Sequence, residues 1–157
     1  MLGDYVSACN KFILAKHGVT HILTVGSGLM PKFQGKFEYK IVREYDTPSA
    51  NLKQHWPGCY QFIDQAIQEG GTVLVHCYAG VSRSSSTVIY YLMRKYDLSL
   101  KDALGYVRAH RWFINPNLGF LRQLRNVEKD LNKQRGGPAT GRRELLPHTF
   151  GLPKQVA

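Results

Sequence analysis

No stretch of this 157-residue sequence approaches the roughly 20 consecutive apolar residues that a membrane-spanning helix requires, so no such segment is expected. Cysteine is scarce. Cys9, Cys59 and Cys77 are an odd number at wide spacing and fit neither a disulfide framework nor paired zinc ligands. The histidines His17, His21, His55, His76, His110 and His148 are scattered, so neither a metal nor another cofactor is expected. Acidic side chains are few, 11 against 21 Lys plus Arg, and the resulting net charge of +10 favours anionic partners such as phosphorylated substrates, nucleic acid or acidic membranes. Part of that excess lies near the end, where Lys133, Arg135, Arg142, Arg143 and Lys154 meet only Glu144, and a solvated basic tail accounts for it. The opening Met1-Leu2-Gly3-Asp4 has no basic flank before an apolar stretch, and Leu2 is incompatible with N-myristoylation. The expectation is an intracellular protein, cytoplasmic or nuclear, and a monomer.

The length suits one compact domain, and 43% hydrophobic with 20% charged residues is a globular composition. Apolar residues at helical spacing predict a helix from Ser7 to His17. The branched run Val19–Val25 reads as a buried strand, and Phe37–Val42 as a second. Asp46-Thr47-Pro48-Ser49 has turn residues, and Leu52–Gln68 reads as a helix whose start Pro57-Gly58 delays. Thr72–Val75 is the pattern of a strand covered on both faces. Helices follow at Ser84–Tyr96, with Val88, Tyr91, Leu92 and Tyr96 facing inward, and at Leu100–His110 behind an N-cap at Ser99. A last helix begins near Asn117 and fades by Asn132. The expected organisation is a domain over residues 1–132 and a basic, flexible tail over 133–157, in which Leu145, Leu146, Phe150 and Leu152 can still dock.

Between the Thr72–Val75 strand and the next helix lies His76-Cys77-Tyr78-Ala79-Gly80-Val81-Ser82-Arg83-Ser84. A loop entering a helix N-terminus points unpaired N–H groups inward, and the helix dipole favours a negative ligand there. Tyr78, Ala79, Gly80, Val81, Ser82 and Arg83 would form the cradle, with the sulfur of Cys77 at its floor and the Arg83 guanidinium forked around two oxygens of the anion. Gly80 lets the backbone turn and the anion approach. The same field favours the thiolate, the nucleophilic form, at Cys77. Ser84 is placed to donate to that sulfur, and His76 to order the loop.

This pattern resembles the dual-specificity branch of the cysteine-based protein tyrosine phosphatases, whose signature is His-Cys, five residues, Arg, then Ser or Thr. The resemblance implies an α/β fold, a single domain with a central mostly parallel twisted sheet flanked by helices. In that family an aspartate general acid lies upstream, and Asp46-Thr47-Pro48-Ser49-Ala50-Asn51-Leu52 is similar to its segment, which makes Asp46 the candidate acid. Asn115-Pro116-Asn117-Leu118-Gly119-Phe120 is similar to the segment behind the phosphate site, where Asn117 either braces the loop or caps a helix. The similarity spans about residues 2–131, with a first strand that looks shortened.

The resemblance implies hydrolysis of phosphotyrosine and phosphoserine or phosphothreonine in proteins through a cysteinyl-phosphate intermediate. A short segment before Cys77 suits a shallow pocket that admits all three side chains. Uncharged Tyr78, Ala79, Val81 and Ser82 weigh against a phosphoinositide, where relatives place lysines; glucan and RNA 5′-phosphates are further alternatives. A non-catalytic phosphoprotein-binding module would lack the nucleophile, arginine or acid, all present here. Nucleic-acid binding on Arg108, His110, Arg111, Arg122 and Arg125 competes with the plainer reading of solvated helix faces and is not expected. Cys9 or Cys59 either trap Cys77 as a disulfide or are ordinary buried thiols.

Overall fold

The computed structural model describes residues 1–142 and residue 146. Four strands, β1 (Leu2–Gly3), β2 (His21–Val25), β3 (Glu38–Val42) and β4 (Val73–His76), form one sheet in the order β1-β4-β2-β3, every neighbouring pair parallel. Helices α1 (Tyr5–Ala8), α2 (Lys11–Lys16), α3 (Trp56–Gln68), α4 (Arg83–Lys95), α5 (Leu100–His110) and α6 (Leu118–Arg135) flank it, giving the expected α/β architecture. Both central strands are buried at every residue, as continuous apolar runs in a parallel sheet should be. Alternation along them divides the core. Leu23, Val25, Val73 and Val75 face the large cluster with Trp56, Tyr91 and Phe120, whereas Ile22 and Leu74 face a smaller one with Ala8, Leu14 and Val19.

Several elements differ from the expectation. The single helix over Ser7–His17 is two, because the Asn10 side chain accepts from Phe12 N and Ile13 N and starts a new helix there. The Leu52–Gln68 segment opens as a 3-10 turn, Leu52–His55, and becomes α-helical at Trp56 with Pro57 in its first turn, where a missing N–H costs nothing. Helix α4 is buried all round from Ser84 to Met93, not on one face. Its hydroxyls make this possible: Ser85, Ser86 and Thr87 donate back to the carbonyls of Val81, Ser82 and Arg83 and take no unsatisfied polar group inside.

Helix α6 runs to Arg135, three residues past the expected boundary, and ends on Gly136 in the left-handed conformation. The chain beyond is pinned to the α4–α5 connection. Asp97 pairs with Arg135 Nε at 2.6 Å and accepts from the Thr140 backbone and hydroxyl, while Gly141 N and Arg142 N donate to the carbonyls of Asp97 and Tyr96. A flexible tail from residue 133 is therefore corrected for 133–142. Leu146 packs against the main core, and Leu145, Phe150 and Leu152 lie outside the described residues. Among the described residues no helix is long and apolar enough to cross a membrane.

Trp56 is fully buried and stacks on Tyr90 of α4, ring centroids 5.3 Å apart. Trp56→Ala is expected to lower unfolding stability by about 3–5 kcal/mol in urea titration, the range for deleting a buried aromatic ring.

Candidate active site

The loop from Cys77 to Ser82 leaves the C-terminal end of β4 and enters α4, whose start carries no side-chain cap. Its first N–H groups and positive dipole end thus face the hollow of the loop. Gly80 has φ 69°, and a Cβ on it would stand 2.5 Å from Gly3 O and 2.6 Å from Arg111 Nη2, so no side chain fits. Cys77 is buried at the floor, with Sγ receiving the Gly80 N–H at 3.2 Å and the Ser84 hydroxyl at 3.1 Å. Tyr5 N and Asn115 N hold the loop from outside by donating to the carbonyls of Tyr78 and Val81.

His76 is fixed behind Cys77. Its Nδ1 stands 3.2 Å from Cys77 O, which can only accept, so Nδ1 carries the proton and Nε2 accepts from Thr24 Oγ1 at 2.8 Å. Burial pushes this imidazole below its ordinary value, against smaller opposing effects of the Cys77 carbonyl and Asp4. A neutral ring with both nitrogens engaged orders the loop.

Arg83, at the first turn of α4, donates from Nη1 to Glu44 O at 3.3 Å. Its buried Nε makes no hydrogen bond and stands 3.7 Å from Asp46 Oδ2. The other Asp46 oxygen accepts from Ser82 Oγ at 2.7 Å and from Asn117 Nδ2 at 2.9 Å. Of the two readings of Asn117, the helix cap is seen, since its Oδ1 accepts from Phe120 N at the start of α6. Its backbone N–H donates to Ser82 Oγ, so Ser82 is a relay between Asp46 and α6 as well as part of the cradle.

The Asp46 segment is held against α6 at two further points. A Cβ at Gly119 would overlap the Pro48 carbonyl, so only glycine allows this approach. Gln123 then accepts from Lys53 N and donates to Ala50 O, both at 2.8 Å.

Arg111 is a site residue that the sequence reading placed on a basic surface. It is 8% exposed and donates to the loop carbonyls of Gly80 (3.3 Å) and Ala79 (3.4 Å), with Asp4 at 3.7 Å and the Phe113 ring 4.4 Å away. Burial depresses this guanidinium, while Asp4 and the Cys77 sulfur act the other way. The available signal was an arginine followed directly by Trp112 and Phe113, a setting for a stacked cation. Arg108, His110, Arg122 and Arg125 remain exposed. All three cysteines are free, and burial pushes the Cys59 thiol up to about 12. No group of three or more His, Cys, Asp or Glu side chains among the described residues is arranged to hold a metal ion.

Residues 1–130 match the family model for the dual specificity phosphatase catalytic domain. Dual specificity protein phosphatase 1 of Arabidopsis thaliana is 45% identical over 130 residues, covering 83% of this chain, which in turn spans 66% of that relative's length. The crystal structure of the human tyrosine phosphatase-like serine/threonine/tyrosine-interacting protein superposes with a TM-score of 0.80 at 39% identity, covering 83% of this chain and 91% of that one. The crystal structure of human DUSP28 gives a TM-score of 0.80 at 32% identity, covering 85% and 94%.

Removing the brace with Arg111→Met leaves the loop carbonyls and Asp4 without their charged donor, and should cost about 1–3 kcal/mol in urea titration. A second expectation concerns pH. Because the His76 value is depressed on folding, the unfolded chain binds a proton that the folded chain does not as the pH falls below about 6.5. Stability present at neutral pH is therefore lost toward acid, and the fall in urea midpoint between pH 7.5 and 5.5 should be smaller in His76→Gln.

Proposed function

The chain belongs to the dual specificity phosphatase catalytic-domain family, and on that footing we propose that it is a protein phosphatase acting on phosphotyrosine and on phosphoserine or phosphothreonine through a cysteinyl-phosphate intermediate. The observation that supports this most is the convergence of the Cys77 sulfur, the N-terminus of α4, the Arg83 guanidinium and the Asp46 carboxyl on one loop.

The Cys77 thiolate attacks phosphorus from the floor of the loop, and the bond from phosphorus to the substrate oxygen breaks. Loop N–H groups and the Arg83 fork hold the equatorial oxygens, so charge developing in the transition state meets donors already in position. Asp46 gives its proton to the departing alkoxide or phenoxide. In the second half a water attacks the phosphocysteine, Asp46 takes a proton from it, and the sulfur leaves as thiolate while the Ser84 hydroxyl donates to it. Arg83 faces Asp46 in this structure, and a bound phosphate dianion gives the guanidinium its stronger partner. Uncharged side chains at Tyr78, Ala79, Val81 and Ser82 support a single phosphate on a protein side chain as the target.

Turnover of a small aryl phosphate and a phosphopeptide panel tests this. Cys77→Ser and Arg83→Lys are expected to lose nearly all activity on both. Asp46→Asn is expected to lose roughly a hundredfold on substrates with poor leaving groups and much less on an activated aryl phosphate. Gly119→Ala, which displaces the Asp46 segment, should show the same leaving-group pattern at roughly tenfold. Undiminished turnover in Cys77→Ser would overturn the reading.

A further inference from the structure

A shallow groove of about 790 Å³ opens beside the cradle, lined by Tyr5, Val6, Lys11, Phe12, Lys32 and Phe33 among others. Tyr5 is the shared wall. Its N–H donates to Tyr78 O in the loop, its ring stacks 6.1 Å from that of His76, and its hydroxyl donates to Met30 O at 3.4 Å. The segment carrying Lys32 is thereby held next to α1, which leads directly into α2 with Lys11 and Phe12. Val6, Phe12 and Met30 are 75%, 76% and 60% exposed, apolar surface that no part of the described chain covers.

The charge of this groove is one-sided. Lys11 and Lys32 line it and Lys36 lies beside Lys11 just outside that lining; all three are exposed, and among the described residues none of them enters an ion pair. The Lys36 ammonium is lowered from its ordinary value by the Lys11 ammonium beside it. Neighbouring acids are engaged elsewhere: Asp4 caps α1 through Ser7 N and faces Arg111, and Glu38 faces His21. Lys32 is held in place by donating to Cys9 O at 3.3 Å, with the Phe33 ring 5.8 Å away.

We propose that this groove takes the acidic segment flanking the phosphorylated residue of a substrate protein, so that carboxylate or second phosphate groups on that segment are met by Lys11, Lys32 and Lys36. It rests on the phosphatase reading above and specifies which phosphoproteins that site selects. A peptide is favoured over a membrane because the shallow groove, with Lys11 and Lys32 beside the rings of Tyr5, Phe12 and Phe33, is joined through Tyr5 to the phosphate loop, so one extended chain can reach both. Through Tyr5 the groove adjoins the loop, so the residues it takes are those near the phosphorylated one in the substrate chain.

The experiment compares matched phosphopeptides carrying Glu or Gln beside the phosphorylated residue, with the intact chain and a Lys11→Gln/Lys32→Gln/Lys36→Gln variant. The native chain is expected to prefer the Glu peptide by roughly tenfold in kcat/KM at low salt, mainly through KM, with the preference shrinking as salt screens it. The triple Gln variant loses the preference, the triple Lys→Arg variant keeps it, and aryl phosphate turnover is unchanged in both. Equal turnover of the two peptides by the native chain, or a preference that survives in the Gln variant, overturns the proposal. So does lysine-dependent binding to phosphatidylserine vesicles without any peptide preference. Fluorescence anisotropy with the unphosphorylated Glu and Gln peptides reads the groove alone, so absent aryl phosphate turnover would count against the phosphatase reading and not against the groove.

Discussion

The Arg111 guanidinium binds two successive carbonyls of the loop, and most of the site depends on that contact. A loop that turns its N–H groups inward must turn carbonyls outward, and a buried carbonyl without a donor is costly. Arg111 satisfies those of Ala79 and Gly80. Tyr5 and Asn115 satisfy Tyr78 and Val81, and the hydroxyls of α4 satisfy those that follow. The inner face is free to hold an anion because every outward group has a partner. Asp4 and the Phe113 ring keep the charge of Arg111 compensated where burial disfavours it.

The second constraint is the coupling of Asp46 to the loop. Asp46 lies on an exposed segment that would wander by itself, yet one oxygen is held by Ser82 and Asn117 together. Ser82 belongs to the cradle and Asn117 to the start of α6, so the carboxyl is positioned by both. Gly119 and Gln123 extend that contact along α6. Helix α6 thus acts as a rail for the Asp46 segment, while Cys77 and Arg83 come from the β4–α4 unit.

The parts of this arrangement that could be read from the chain are the local ones. Cys77, Gly80, Arg83 and Ser84 are close in sequence, and their spacing carries the geometry of a turn into a helix. Helix α5 has the predicted bounds because Ser99 accepts from Asp102 N, a cap signal written within four residues. Asp46 and Asn117 were legible only through a family pattern, since 71 positions separate their contact. Arg111 was misplaced because a cation in a basic stretch reads as surface until tertiary contacts show what surrounds it. The same limit hid the full burial of α4, whose inward face was read only at Val88, Tyr91, Leu92 and Tyr96, while Ser85 and Ser86 in fact bond to the carbonyls of Val81 and Ser82 just before it. Asn10, read as one helical residue among others, is the cap that splits the first helix.

Where the chain goes after α6 has a practical corollary. The clasp at Asp97 sits at the far end of α4, which at 13 residues is about 20 Å long, from the N-terminus that faces the cradle. An adaptor, fluorophore or solid support attached at Arg142 would hang from that opposite pole, and the mouth of the molecule would stay open to a bulky phosphorylated protein.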